Sequence, residues 1–95
     1  MGEDRVRDLV RQAMEAMPAD AWRAYVAVER AVLEVKMRHG LEHEPSPPPV
    51  KRTAKKADLL ALAGERLARL DYDDAKKLLY ELRACRDALK TSARP

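Results

Sequence analysis

Val6, Leu9, Val10, Ala13, Met14 and Met17 recur at the i, i+3, i+4, i+7 rhythm of a helix with one apolar stripe. That spacing predicts a first helix from about Glu3 to Met17, with Glu3 and Asp4 at its positive dipole end. Pro18 stops it and can open the next from its first turn. The second helix is expected from about Pro18 to His39, roughly 33 Å at 1.5 Å per residue, and Gly40 is placed to end it. It carries two apolar seams. One holds Ala21, Tyr25, Val28, Val32 and Val35; the other holds Trp22, Val26, Leu33 and Met37. Glu29 and Lys36 lie between them. A helix apolar on both flanks touches two neighbours, so this one should be the spine. A carboxylate at the centre of that face calls for a basic partner on another helix, because an unpaired buried charge is costly.

A third helix is expected from about Ala54 to Leu70, with Leu59, Leu60, Ala63, Leu67 and Leu70 as its stripe. Leu62 flanks that stripe, and Gly64 leaves room for a close approach. The fourth should start at Asp71 as N-cap, with Asp73 and Asp74 in its first turn. Ala75, Leu78, Leu79, Leu82, Cys85 and Leu89 form its buried face, joined to the third helix across almost no loop. The fold class is all-α: a four-helix bundle built from two antiparallel helical hairpins, closed within one chain or intertwined with another copy. Residues 1–41 make the N-terminal hairpin, 42–53 a Pro-rich then basic linker, and 54–95 the C-terminal hairpin.

The linker contains the stretch "PSPPPVKRTAKK". Its prolines lack amide hydrogens and disfavour helical neighbours, so residues 45–49 should be an extended spacer of roughly 15 Å. An SH3-type docking pattern fails, because Pro45 and Pro48 lead to Val50.

Charge sharpens this picture. Residues 1–50 carry seven Lys/Arg against nine Asp/Glu, a net of −2; residues 51–95 carry twelve against seven, a net of +5. Such a split can hold the halves together, mate two copies or face a polyanion. Lys51, Arg52, Lys55 and Lys56 crowd the start of the third helix, where the dipole disfavours cations and Thr53 can cap. A hydroxyl and several cations at a helix start can hold an anion. Lys76, Arg83 and Lys90 then repeat every seven residues beside the buried face of the fourth helix, with Tyr80 outside them. A basic stripe with an aromatic suits phosphates and a stacking surface, and it equally suits pairing with the acids of a partner helix.

Part of the C-terminal hairpin resembles one tetratricopeptide repeat. Leu59, Leu62, Ala63, Asp71, Tyr72, Ala75 and Leu79 fall at that family's spacing, over about a third of the chain. Arg66 and Asp87 stand where the family has an aromatic and a closing proline. The resemblance implies peptide binding in a concave groove, which takes about three stacked copies; residues 1–50 hold no second one. Arg38 and His43 are similar in spacing to the Arg-x4–6-His motif of the HEPN ribonucleases, helical bundles with that pair at a dimer interface.

His39 and His43 would share a helix face as metal ligands only without Gly40 and Pro45 nearby, and no further His or Cys closes a site. No Gly-rich phosphate loop, Ser/His/Asp constellation or CxxC pair occurs, so no cofactor, metal or enzymatic activity is expected. Cys85 is the only cysteine and belongs to an apolar face, which excludes an internal disulfide and fits a reducing, cytoplasmic setting. No run of about 18 apolar residues is present, so no membrane role is expected.

The favoured function is a non-enzymatic interaction module, an adaptor or accessory subunit. Its expected interface is Trp22, Tyr25, Val26, Glu29, Leu33 and Lys36, with a second copy or another protein as partner. The alternative is a nucleic-acid-binding accessory protein using Lys51, Arg52, Thr53, Lys55, Lys56, Lys76, Tyr80, Arg83 and Lys90. A HEPN-like ribonuclease is third.

Overall fold

The computed structural model describes residues 2–51 and 53–93; Arg52 and the side chains of Glu3 and Asp4 lie outside the described residues. Four helices appear and, among those residues, no strand: α1 Gly2–Ala16, α2 Ala21–His39, α3 Lys56–Ala68 and α4 Ala75–Ala93.

Three helix starts differ from the sequence expectation. α2 begins after Pro18, because Asp20 is the N-cap and its carboxylate accepts from the Arg23 amide at 3.0 Å. α3 begins at Lys56 with no side-chain cap, and Thr53 sits in the preceding turn instead of capping. α4 begins at Ala75: Asp74 accepts from the Lys77 amide at 3.2 Å, while Asp71 accepts from the Asp73 amide at 3.0 Å in the connecting turn. The α3–α4 connection therefore spans residues 69–74, longer than the near-absent loop expected. Gly40 ends α2 as expected, at φ 63°, the left-handed conformation that glycine adopts without a Cβ penalty.

α2 packs on both α1 and α4, α4 also packs on α3, and α1 touches α3 only slightly. Along α2 towards its C-terminal end, Glu29 meets Arg86 at mid-α4, and Glu44 just beyond meets Lys76 at the start of α4. Hence α2 and α4 are antiparallel, and the helices run α1, α2, α4, α3 around the bundle. The end of α2 and the start of α3 consequently lie at opposite ends, so the described residues between Gly40 and Lys55 cross over along the outside.

The core draws Val6, Leu9, Val10 and Ala13 from α1, Leu59, Ala63 and Leu67 from α3, and Leu78, Leu79, Leu82, Cys85, Ala88 and Leu89 from α4. Replacing a fully buried leucine such as Leu82 by alanine should cost about 2–5 kcal/mol. α2 contributes Ala21, Ala24, Ala27, Val28, Ala31, Val32 and Val35, and this arc of small residues brings its neighbours close on two sides. It touches two helices, as the spine should, but through this single arc; the second seam stays outside. Met14 is also exposed, against expectation, while Leu62 at the flank of the α3 stripe is exposed too. For Met14 the cause is the open α1–α3 edge, a groove of about 620 Å³ that it lines with Leu67 and Tyr72. Arg7 lies 4.1 Å over the Tyr72 ring across that edge. Burial pushes the Tyr72 hydroxyl pKa up, opposed by the Arg7 guanidinium. Gly64 permits no unusual approach: a Cβ there would stand 3.6 Å from Met17 Cε, ordinary contact.

Candidate functional site

At about 100° per residue, Trp22, Val26, Leu33 and Met37 fall on the side of α2 facing away from Ala24, Ala27 and Ala31. Because the alanine side is buried, the four larger residues are left outward. Trp22 is 60% exposed, Leu33 44% and Met37 78%, with Val26 half-buried. The stripe spans 16 residues, Trp22 to Met37, about 22 Å. Trp22 stacks on Tyr25 with ring centroids 5.1 Å apart, and Tyr25 packs on the core, so the exposed indole has a fixed base. All six residues of the expected interface therefore share one side of α2, and Met37 extends it.

The charges beside the stripe differ in their engagement. Glu29 pairs with Arg86 at 3.5 Å, which makes it a bridge from α2 to α4. Glu34 faces Arg5 at 3.3 Å and Arg38 at 3.9 Å. Arg23, Arg30 and Lys36 form no ion pair among the described residues. A groove of about 460 Å³ between α1 and α2 runs beside the stripe, with Val26 in its wall and Arg23, Arg30 and Glu15 along it.

The basic set of the C-terminal half is not brought together as a continuous stripe. Arg83 is 5% exposed; its guanidinium donates to the carbonyls of Glu44 at 2.6 Å and Pro45 at 3.4 Å. Lys76 faces the Glu44 carboxylate at 3.5 Å. Farther along, the Val50 amide donates to Asp87 at 2.7 Å. The flank of α4 expected to face phosphates is thus the seat of the chain's own proline segment, and Arg83 is withdrawn from any outside ligand. The physical reason is that a proline-rich segment has few amide hydrogens to satisfy its own carbonyls, so Arg83 donates to those of Glu44 and Pro45, while Asp87 accepts from the amide of Val50. Lys51, Thr53, Lys55, Lys56, Tyr80 and Lys90 remain exposed.

Other chemistry-bearing residues are scattered. His39 and His43 are exposed around Gly40, and the Arg38 guanidinium turns to Glu34. Among the described residues no group of three or more His, Cys, Asp or Glu is placed to hold a metal ion. Cys85 is enclosed, its thiol donating to the Ala63 carbonyl at 3.7 Å, and burial pushes its pKa up to about 12. Arg66, at the position where the repeat family has an aromatic, ties α3 to Glu81 of α4 at 2.5 Å.

Sequence reasoning missed the fastening by Arg83 and Asp87. The available signal was a heptad-spaced arginine flanking a leucine face in a chain with unsatisfied proline carbonyls. No protein-family model, curated protein or solved structure matches the chain. No helix among the described residues is long and apolar enough to cross a membrane.

Proposed function

We propose that this protein is a non-enzymatic helical interaction module, an adaptor or accessory subunit, whose contact surface is the outer face of α2. The observation that carries the reading is the line of Trp22, Val26, Leu33 and Met37 on a helix whose other side is fully used by the bundle. A large exposed tryptophan on a rigid base is the type of anchor that dominates interface energetics. Trp22, Leu33 and Met37 lie outside the core of the bundle.

The test is selection of binders from a displayed library of helical peptides. Binders of the wild-type protein should be lost on Leu33→Glu and on Trp22→Ala, with the helical circular dichroism signal retained. They should survive Tyr80→Glu. Binders that map to Tyr80 and Lys90 instead would overturn the assignment.

The nucleic-acid reading keeps one supporting observation, the exposed Lys51, Lys55 and Lys56 around the uncapped start of α3. It is the weaker, since Arg83 is buried against the carbonyls of Glu44 and Pro45 and Lys76 forms an exposed pair with Glu44.

A further inference from the structure

Resting on that reading of α2, we infer that the partner is an amphipathic helix of another protein, with acidic residues along the edge of its apolar stripe. The apolar part follows from shape: an apolar stripe about 22 Å long matches the apolar side of a helix of similar length. The acidic part follows from the charges. Arg23 and Arg30 stand on the α1 side of the stripe and Lys36 on the α4 side, all outside ion pairs among the described residues. The two acids of α2 are already held, Glu29 by Arg86 and Glu34 by Arg5 and Arg38. Glu15 lines the groove but comes into no ion pair with either arginine. The rim therefore carries surplus positive charge, and the groove beside Val26 offers an arginine-walled space for an incoming carboxylate.

The same charges argue against a second copy as the occupant. The middle of the stripe falls between Glu29 and Arg30. An antiparallel pairing centred there sets Arg30 against Arg30 and Glu29 against Glu29, and like charges face to face disfavour the complex. In any pairing the second copy brings the same three cations, which form no ion pair among its described residues, while its α2 acids are already engaged.

The experiment uses the full chain, the fluorescence of its single tryptophan, Trp22, and two synthetic helical peptides of about 18 residues, a length that covers the stripe. Both carry the same leucine stripe; one has glutamate along its edges and the other lysine. The glutamate peptide should bind about tenfold more tightly, a preference that falls with added salt. The triple variant Arg23→Gln, Arg30→Gln, Lys36→Gln should lose the preference and keep the fold. Equal binding of both peptides, abolished by Leu33→Glu, overturns the acidic partner while the α2 face stands. Concentration-dependent mass in solution, with Trp22 shielded from quenchers in the free protein, also overturns it and assigns the face to a second copy. If neither peptide perturbs Trp22, the inference falls, and the library selection above decides separately whether the face binds at all.

Discussion

The buried guanidinium of Arg83 donates to the carbonyl of Glu44, 2.6 Å away and 39 residues back along the chain. This contact joins the crossover to α4 and leaves no exposed head for an external phosphate. Arg83→Leu should orphan the Glu44 and Pro45 carbonyls and destabilise folding by about 1–3 kcal/mol. Lys76→Gln, which breaks an exposed pair on the same segment, should change stability by less than about 1 kcal/mol. Urea unfolding of the two variants checks the contrast, and similar losses for both would contradict it.

Glu29 bridges to Arg86 with both side chains about one-third exposed, 32% and 29%. Water screening keeps such a pair weak, so Glu29→Gln should cost no more than about 1 kcal/mol. Peptide binding to the α2 face should stay nearly unchanged. Lost binding at full stability would make Glu29 a contact residue in its own right.

Cys85 gives the protein a pH signature. Burial raises its thiol pKa from 9.0 to about 12, with the nearby Arg66 lowering it and Glu81 raising it. The unfolded chain therefore releases this proton first as pH rises above about 9. The resulting stability is complete below that pH and is lost between about 9 and 12, by at most about 1.4 kcal/mol per pH unit. Tyr72, also shifted upward, adds to the decline at higher pH. Cys85→Ala should flatten the alkaline part of the stability curve relative to wild type, and at pH 8 the native thiol should resist alkylation until the chain unfolds. Rapid labelling of the folded protein would refute this.

For the basic cluster, replacing Lys51, Arg52, Lys55 and Lys56 together by glutamine should leave oligonucleotide binding and its salt dependence unmoved. A drop in salt slope approaching about 0.9 per replaced residue would instead mark these residues as phosphate contacts and revive the nucleic-acid reading.

Much of the fold was legible because leucine and valine spacing is directional. Leu78, Leu79, Leu82, Cys85 and Leu89 could face only one way on a helix, and Gly40 could end α2 in a conformation few other residues tolerate. The choice between the two seams of α2 was not legible. By hydrophobicity Trp22 and Leu33 outweigh Ala24, Ala27 and Ala31, yet close helix packing favours the small residues, and that preference appears only when neighbours are present. The start of α4 was ambiguous for a similar reason: Asp71, Asp73 and Asp74 are equivalent as cap types, and the connection from α3 decides for Asp74. At the candidate site, pattern alone anticipated that Glu29 would pair with a basic residue of another helix, which is Arg86. It could not separate an arginine facing solvent from Arg83, since both flank an apolar face at the same spacing.

The crossover is fastened on either side of its proline run, by Arg83 near Glu44 and by Asp87 at Val50. A break in the chain between Pro47 and Pro48 would therefore leave each free end anchored to the same helix. Fragments 1–47 and 48–95, produced together, should reassemble by complementation and co-elute as one particle. The fastening also sets an asymmetry in that experiment: Arg83 and Asp87 both belong to the second fragment, so it carries the socket while the first brings only a tail to fill it. Arg83→Leu should accordingly weaken the recombined pair far more than it weakens the intact chain, where the covalent join keeps the tail close at hand.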